Sequence, residues 1–461
     1  MDAITTLRAA LPPGAFTVDK DVIAPHLSEW RDKYFGHTPI MLTPRTTQEA
    51  AQMVKLCASG GLKIVPQGGN TGLVGGQTPM GEVLLSLKKM TKLRAVNPTN
   101  NSLIIEAGAT LQSVQEAADA AGRKFPLSLA SQGSCTVGGV ISTNAGGVHV
   151  LKYGTTKDLV FGVEAVLADG SVFNGLTDLR KDNTGYDLNR LFLGAEGTLG
   201  IITAASLKLF PKPEYVQRAM AGLHSPQAAL ELLDIASAHS ELAMFEVVPA
   251  IGLDLVTRHI AGQRYPFAEP HGWFAVIDWE AASPADGLKL AEAVLGTALE
   301  ADIIQDAIIT QSELQAVQLL ALRENMSAGQ KHLGGSIKLD ITVPIFDIPA
   351  FLSLAGFAVE AAMPGARPVA FGHFGDGNIH YNIGRPENMP SDEFLSNWQR
   401  LSDVVFDVVE GFGGSISAEH GIGTMKKDDL AARADPVKLA LLRSIKTALD
   451  PQNIMNPRVM I

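Results

Sequence analysis

The stretch HFGDGNIHYN at residues 373–382 carries two histidines, His373 and His380, on either side of a glycine-rich turn. Imidazole nitrogens are common ligands of divalent metal ions. A later segment, GGSISAEHGIG, supplies a carboxylate in Glu419, followed directly by His420. Two histidines and a glutamate with an open position form a catalytic zinc set, and other divalent metals accept the same ligands. Hydrogen-bonded loop histidines are the alternative, and the spacing alone leaves both interpretations open.

The residues around the two histidines predict a β-hairpin. ARPVAFG is typical of a strand that ends at a glycine, FGDG of a turn and NIHYNI of a returning strand. Because side chains alternate along a strand, His380 and Asn382 should face the same side, and His373 can lie beside His380. Asp376 is interpreted as a turn residue that caps the loop.

Two glycine-rich loops are a second place where chemistry is expected. They are PQGGNTGLVGGQTP at 66–79, directly after a predicted strand, and SQGSCTVGGVISTNAGG at 131–147. Without a Cβ, successive glycines let backbone N–H groups approach phosphate oxygens, so two such loops suit a long phosphorylated ligand. Plain turns are the alternative for either loop alone. Neither loop matches GxGxxG and the chain lacks GxxxxGK[ST], so neither a Rossmann site nor a P-loop is predicted.

Periodicity separates an α+β first part of the chain from a second part with longer amphipathic helices. TTQEAAQMVKLCASGG predicts a helix with a capping box formed by Thr46 and Glu49, and LKIVP predicts a strand. After the turn-prone FPKPEY, helices such as SPQAALELLDIASAHS lie between strand-like runs such as GWFAVIDW and IKLDITVP. We therefore expect a first domain at 1–214, a second at 215–410 and a C-terminal segment at 411–461.

Composition narrows the class of protein. The 461 residues, 46% hydrophobic and 18% charged, are those of an ordered chain with more than one core. A net charge of −11 without a cluster of Lys and Arg argues against a nucleic-acid partner. Cys57 and Cys135, the only cysteines, make neither a disulfide framework nor a thiolate metal site. With no signal-like N-terminus and no run of 18 apolar residues, we expect a cytoplasmic protein without a membrane span.

Four motifs resemble the flavin-binding signature of the FAD-linked oxidases of the vanillyl-alcohol oxidase and p-cresol methylhydroxylase type: PQGGNTGL, GGVISTNAGG, KYGTTKDLVFGVEAVLADG and LFLGAEGTLGIIT. The resemblance implies an α+β fold with a two-subdomain FAD-binding domain, an antiparallel-sheet cap domain for the substrate, and a C-terminal segment that returns to the flavin domain. The FAD-binding residues that it implies are Pro66, Gln67, Gly68, Gly69, Asn70, Thr71, Gly72, Leu73, Ser131, Gly133, Gly138, Gly139, Ser142, Asn144, Ala145, Gly146, Gly147, Tyr153, Gly154, Glu196, Gly197, Gly200, Ile201 and Ile202. Some relatives tether FAD through a histidine in the first loop. Asn70 occupies that place here, so we expect noncovalent FAD.

Two C-terminal motifs, HFGDGNIH and AEHGIG, resemble the branch of this family that oxidises D-2-hydroxy acids. That resemblance implies a zinc ion bound by His373, His380 and Glu419, with His420 as the catalytic base at the substrate. The substrate residues that it implies are Arg323, Ser327, Lys338, Asn382 and His420. Ser327 stands where the family has threonine, so it keeps the hydroxyl and loses a methyl group.

The resemblance also implies a reaction. The expected substrate is a small anionic D-2-hydroxy acid, D-2-hydroxyglutarate before others, which is oxidised to 2-oxoglutarate by metal-assisted proton abstraction and hydride transfer to flavin N5. Arg323 and Lys338 supply the local positive charge that the acidic chain otherwise lacks. The alternatives are D-lactate or glycolate as substrate, or a non-catalytic flavin-binding subunit. The electron acceptor, an electron-transfer flavoprotein or a quinone-linked carrier, and the oligomeric state, with a homodimer as one alternative, stay open.

Overall fold

The computed structural model describes residues 2–31 and 33–461. The chain folds into two compact units. The first unit is Met1–Gly147, Gly154–Lys212 and Glu419–Ile461, and the second is Val148–Tyr153 and Pro213–Ala418. The sequence predicted that the chain leaves the second domain at residue 411. In the structure residues 411–418 stay with the second unit, where Ser415 forms a β-bridge with Thr342.

Strands and helices are numbered in chain order. The strands are β1 (Phe16–Thr17), β2 (Met41–Leu42), β3 (Ile64–Gln67), β4 (Val83–Ser86), β5 (Leu93–Asn97), β6 (Ser102–Glu106), β7 (Arg123–Lys124), β8 (Val160–Val166), β9 (Val172–Asn174), β10 (Ile201–Lys208), β11 (Phe210–Pro211), β12 (Tyr215–Leu223), β13 (Leu242–Pro249), β14 (Trp273–Ala281), β15 (Asp306–Ile309), β16 (Ser336–Thr342), β17 (Arg367–His373) and β18 (Asn378–Gly384). The α-helices are α1 (Ala3–Ala10), α2 (Lys20–Ile23), α3 (Thr47–Ser59), α4 (Leu111–Ala120), α5 (Val137–Thr143), α6 (Val150–Tyr153), α7 (Thr156–Leu159), α8 (Pro226–Ser237), α9 (Ala250–His259), α10 (Pro284–Glu300), α11 (Glu313–Glu324), α12 (Met326–Gly329), α13 (Ile348–Ala362), α14 (Ser391–Ser396), α15 (Trp398–Gly411), α16 (Lys427–Arg433) and α17 (Pro436–Leu449).

Two larger sheets organise the first unit. One has the order β1-β2-β4-β3, in which β2, β4 and β3 run parallel and β1 is antiparallel to β2. The other has the order β5-β6-β10-β8-β9 and is antiparallel. Helix α3 begins as predicted, since Thr46 Oγ1 accepts a hydrogen bond from the Glu49 amide at 3.1 Å. The Glu49 carboxylate accepts the amide of Arg45 rather than that of the cap residue itself.

One antiparallel sheet organises the second unit, with the order β15-β12-β14-β13-β17-β18-β16. This confirms the expected antiparallel cap sheet. On one face, Phe245, Ile277 and Tyr381 are buried in a core that helices α8, α10, α13 and α15 complete. Because side chains alternate along each strand, the residues next to these in sequence point to the opposite face.

The predicted hairpin around the two histidines is confirmed. Strands β17 and β18 pair antiparallel, with His373 opposite Asn378 and Phe371 opposite His380. The first strand begins and ends one residue later than predicted, at Arg367 and His373. His373 is therefore a strand residue, and its side chain takes its direction from the sheet.

The stretch Ile345–Ala362, most of it in α13, is long and apolar enough to cross a membrane by length and composition alone. It is 22% buried, and Ile348, Phe351 and Ala355 face the core. A helix that packs one side on a protein core passes the same test, so this stretch is weak evidence for a membrane span. The expected lack of a membrane span stays a prediction.

Candidate active site

Three of the segments predicted to hold the cofactor come together within the first unit: the loop at 66–79, the loop at 131–147, and a third segment at 196–202. A Cβ on Gly69 would lie 2.1 Å from the carbonyl oxygen of Ser134, so the first glycine loop packs directly on the backbone of the second. Only glycine permits this approach. The amide of Glu196 donates to the carbonyl of Ser142 at 2.8 Å, which joins the third segment to the second loop.

The first unit fits a phosphorylated cofactor. Thr136 Oγ1, in the second loop, is buried and has no hydrogen-bond partner within the part of the chain that the structure describes. A Cβ on Gly68 would lie 2.1 Å from this hydroxyl oxygen, so the two loops adjoin there as well. A buried hydroxyl is costly unless it is bonded, and a ligand oxygen would satisfy it.

Two predicted cofactor residues use their side chains to hold the first loop. Gln67 Nε2 donates to the carbonyls of His26 at 2.9 Å and Gln77 at 3.1 Å. Asn70 Nδ2 donates to the carbonyl of Ser28 at 2.7 Å, and its backbone is left-handed, with a φ of 62°. The contacts of these residues with FAD, like those of the whole predicted FAD set, stay predictions.

Tyr153, which the resemblance placed at the cofactor, lies on α6 in the second unit. Its hydroxyl donates to Glu280 at 2.5 Å, and the same carboxylate accepts Lys152 Nζ at 2.8 Å. Burial raises the pKa of Tyr153, and the neighbouring carboxylate raises it further, so the phenol stays protonated. A cofactor contact of Tyr153 stays a prediction.

Four polar residues lie on the face of the cap sheet opposite the core of Phe245 and Tyr381. Three of them, Lys338, His380 and Asn382, were predicted as site residues, and Asp340 was not. Lys338 lies directly opposite Asn382 between β16 and β18, and Asp340 lies opposite His380. Since alternate residues of a strand share a face, these side chains point to one side, as predicted for His380 and Asn382. His380 Nδ1 lies 3.7 Å from Asp340 Oδ1, which places a carboxylate beside the imidazole.

The two histidines lie next to each other. The ring centroids of His373 and His380 are 5.4 Å apart, with an angle of 77° between the rings. One ring nitrogen of each lies within 4.8 Å of the other. His373 Nδ1 is hydrogen-bonded to Glu246 Oε1, so Nε2 is the nitrogen that would bind a metal. An imidazole oriented by a carboxylate in this way is the usual state of a metal-bound histidine, so the pair fits a divalent cation.

Glu246, on β13, connects His373 to Arg323. Its second oxygen accepts a hydrogen bond from Arg323 Nε at 2.5 Å, and the guanidinium lies 4.7 Å from the centroid of the Phe371 ring. Burial raises the pKa of Glu246, but the charges of Arg323 and His373 outweigh it and lower the pKa to about 2. The carboxylate therefore stays ionised although it is fully buried. Glu246 was not among the residues predicted from the sequence. Its signal there is a single acid inside the apolar strand MFEVV, because a buried carboxylate needs buried partners.

Asn382 and Ser327, which are also predicted to bind the substrate, lie in the second unit as well. Asn382 Nδ2 donates to Gln330 Oε1 at 3.0 Å, and both residues are buried. Gln330 was not predicted from the sequence either, because no motif surrounds it. Ser327 lies exposed on the short helix α12. The substrate contacts of Arg323, Ser327, Lys338 and Asn382 stay predictions.

Asp376 has the turn role that the sequence indicated. Its carboxylate accepts a hydrogen bond from the amide of Asn378 at 3.0 Å, which closes the turn between β17 and β18. Burial raises the pKa of Asp376 to about 6, against the opposing effect of the His373 charge.

The segment that carries Glu419 and His420 begins where the second unit ends. The amide of Ala418, the last residue of the second unit, donates to the carbonyl of Asp340 at 3.4 Å. Within the first unit, a Cβ on Gly146 would lie 2.5 Å from Glu419 Oε1, so the Glu419 carboxylate lies against the second glycine loop. Coordination of one cation by Glu419 and the two histidines, with His420 as the base, stays a prediction.

Comparisons with known proteins cover nearly the whole chain. Residues 38–175 match the family described as FAD binding domain. Residues 212–460, more than half of the chain, match the family described as FAD linked oxidases, C-terminal domain.

Several relatives carry one name. The mitochondrial D-2-hydroxyglutarate dehydrogenase of Arabidopsis thaliana is 36% identical over 443 residues, which are 95% of this chain and 78% of that protein. The mitochondrial D-2-hydroxyglutarate dehydrogenase of Bos taurus is 36% identical over 454 residues, which are 97% of this chain and 81% of that protein. The D-2-hydroxyglutarate dehydrogenase of Xanthomonas citri pv. viticola is 33% identical over 455 residues, which are 98% of this chain and 96% of that protein.

Solved structures share the fold at low identity. A p-cresol methylhydroxylase with substrate bound has a TM-score of 0.76 and 19% identity, over 99% of this chain and 95% of that one. An alkyldihydroxyacetonephosphate synthase has a TM-score of 0.74 and 18% identity, over 99% of this chain and 84% of that one. The p-cresol methylhydroxylase likeness confirms the flavoprotein fold that the sequence indicated.

Proposed function

The chain belongs to the family of FAD-linked oxidases, and from this membership we propose that it is an FAD-dependent dehydrogenase that oxidises D-2-hydroxyglutarate to 2-oxoglutarate. The observation that carries the proposal is that one buried carboxylate, Glu246, holds a guanidinium and an imidazole side by side. A guanidinium recognises a substrate carboxylate, and an imidazole serves a metal or a proton. A 2-hydroxy acid needs both.

Two cationic side chains match a substrate with two carboxylates. Glu246 engages Arg323 through Nε, so the two Nη atoms are the donors for a substrate carboxylate. Lys338 lies on β16, opposite Asn382, and adds a compact positive charge on the same face of the sheet as His380. A monoacid such as D-lactate or glycolate has no second carboxylate that could pair with Lys338.

The proposal includes a divalent metal ion, zinc first, held by His373, His380 and Glu419. Two nitrogens and one oxygen suit this ion and leave a position for the substrate. Support for Glu419 comes from the covalent chain: Ala418, its neighbour, donates to the carbonyl of Asp340, which lies opposite His380.

Bound FAD would supply the acceptor for the hydride that leaves C2 of the substrate, and a metal ion held by His373, His380 and Glu419 would lower the pKa of the substrate hydroxyl. The side chains of the protein bind and orient the substrate and accept its hydroxyl proton. His420, neutral before the reaction, takes the hydroxyl proton on a ring nitrogen. Arg323 binds a substrate carboxylate through two N–H donors, which fixes the orientation of the C2–H bond of the substrate.

Steady-state kinetics with an artificial electron acceptor test the substrate. We expect kcat/KM to be highest for D-2-hydroxyglutarate among D-2-hydroxyglutarate, D-malate, D-lactate and glycolate. A maximum at a monoacid would assign the enzyme to D-lactate or glycolate instead. Anaerobic addition of D-2-hydroxyglutarate should bleach the flavin absorbance, and a flavin that stays oxidised with each of these acids would indicate a non-catalytic flavin subunit.

An electron-transfer flavoprotein or a quinone-linked carrier is proposed as the acceptor, because a flavin reduced by two electrons must be reoxidised in each turnover. The cytoplasmic location and a homodimer also remain proposals. A screen of purified acceptors and a measurement of mass in solution test the acceptor and the oligomeric state.

A further inference from the structure

Glu196 has an unusual backbone and an unusual pair of partners. It is 8% exposed, and its φ of 52° lies in the left-handed region that side-chain-bearing residues avoid. Its carboxylate accepts two backbone hydrogen bonds from a segment far along the chain. The amide of Ile422 donates to Oε1 at 2.7 Å, and the amide of Gly423 donates to Oε2 at 2.8 Å. We call these two hydrogen bonds the Glu196 clasp.

The backbone of Glu196 lies in a segment of the first unit that is predicted to bind FAD. Its amide donates to the carbonyl of Ser142 at 2.8 Å, and its carbonyl accepts Asn456 Nδ2 at 2.8 Å. A Cβ on the next residue, Gly197, would lie 2.5 Å from Pro66 Cγ. The clasp therefore connects a backbone that is held on several sides to the segment that follows the proposed catalytic residues.

The clasped segment has little freedom to move. A Cβ on Gly421 would lie 2.7 Å from Glu196 Oε1, and the φ of Gly421 is 80°. The amide of Thr424 donates to the carbonyl of Val74 at 2.9 Å, which holds the segment from the other side. Gly421 follows His420 directly, so a shift of the clasped residues moves Glu419 and His420 with them.

We propose that Glu196 is a positioning residue, whose carboxylate fixes residues 421–423 and through them Glu419 and His420; this rests on the proposed function. Glutamate suits the task because it presents two acceptors to two successive N–H groups. Glutamine would present one acceptor and one NH₂ group, which cannot accept the second amide. A backbone held in an unfavourable region at such a point is typical of functional sites.

Glu196→Gln tests the clasp, and Glu82→Gln is the matched control. Glu82 is equally buried at 8%, and its carboxylate accepts the Met80 amide and pairs with Arg458 of the C-terminal tail. In Glu196→Gln we expect turnover per bound flavin to fall by roughly 10- to 100-fold, as for a catalytic group displaced by about 1 Å, with a smaller change in KM. In Glu82→Gln turnover per bound flavin should stay unchanged.

Hydrogen exchange gives a measurement that does not depend on activity. Amide exchange of the peptide that contains Ile422 and Gly423 should accelerate in Glu196→Gln and stay at the wild-type rate in Glu82→Gln. Unchanged exchange would overturn the clasp, and faster exchange with normal turnover per flavin would overturn the positioning role. If the wild type does not oxidise D-2-hydroxyglutarate, the proposed function fails while exchange still decides the clasp.

Two further variants separate the carboxylate from backbone strain and from loss of folding. Glu196→Gly relieves the left-handed backbone and removes the carboxylate, so it should lose turnover per bound flavin as Glu196→Gln does. Recovery of turnover in Glu196→Gly would overturn the proposal. If no Glu196 variant folds, Gly421→Ala displaces the same segment and keeps the carboxylate, and it should lower turnover per flavin. Normal turnover in Gly421→Ala would also overturn it.

Discussion

Arg323 donates through Nε to the fully buried carboxylate of Glu246 at 2.5 Å. The other oxygen of the same carboxylate is hydrogen-bonded to His373. One acidic side chain thus orients both the proposed carboxylate-binding cation and a proposed metal ligand. Removal of that carboxylate should therefore affect binding of the metal and of the substrate together.

We expect Glu246→Gln to weaken metal binding and to lower kcat/KM, each by roughly 10- to 100-fold, because outer carboxylates orient metal-bound histidines. Metal affinity is measured by competition with a chelator. Asp278→Asn is the control, since Asp278 is a buried carboxylate of the same sheet that pairs with Arg218 at 2.6 Å. Equal loss of metal affinity in the control would show that general destabilisation is the cause.

His380→Ala should lose the metal and keep FAD. The proposed ligand lies on β18 of the second unit, whereas the glycine loops that fit the cofactor lie in the first. Elemental analysis gives the metal content, and the absorption spectrum gives the FAD content of the same sample. Full activity in metal-free wild-type protein would remove the metal from the mechanism.

Lys338→Met should change specificity more than overall rate. If Lys338 holds the second carboxylate, kcat/KM for D-2-hydroxyglutarate should fall by roughly 10- to 100-fold, since a hydrogen bond to a charged group contributes about 1.5–3 kcal/mol. The value for D-lactate should change much less. A parallel loss for both acids would assign Lys338 to the carboxylate next to the hydroxyl.

His420→Ala should lower kcat by about 10²- to 10⁴-fold, the usual effect of losing a general base. Metal and FAD content should match the wild type, because neither the histidine pair nor the glycine loops are altered. Stopped-flow reduction of the flavin measures the step itself. Flavin reduction at the wild-type rate would exclude His420 as the base.

Glu164 should contribute to the free energy of unfolding of the first unit, and acid should remove this contribution. Burial raises the pKa of Glu164, but hydrogen bonds from Arg94, Thr47 and Thr203 outweigh it and leave the pKa below its ordinary 4.5. A depressed carboxyl pKa contributes stability that is fully present above 4.5 and is lost as the pH falls through the lower folded value. The difference in unfolding free energy between wild type and Glu164→Gln should shrink below that pH. A difference that grows on acidification would contradict this.

Local sequence chemistry was enough for many elements of the fold. Thr46 begins α3 because its hydroxyl caps the first turn, and the glycines of HFGDGNIH close the hairpin of β17 and β18. These features depend on residues within a few positions of each other. The family motifs extended the prediction to the FAD-binding fold, since several long segments occur in the right order.

The partners of the buried charged side chains could not be predicted from neighbouring residues in the sequence. Glu246 lies far from both Arg323 and His373 along the chain, and Glu196 lies far from Ile422. A buried carboxylate must find compensating donors, but the sequence does not say which ones. The register of the strands and the path of the C-terminal segment determine which donors lie next to each carboxylate.

By itself, then, the sequence determined the helices and strands, the glycine loops and the set of side chains able to do chemistry, because each of these follows from neighbouring residues. Only the tertiary structure decided that Glu246 serves Arg323 and His373 at once, and that Glu196 holds the segment after His420. Those pairings arise because folding removes the carboxylates from water and offers each a few donors within reach.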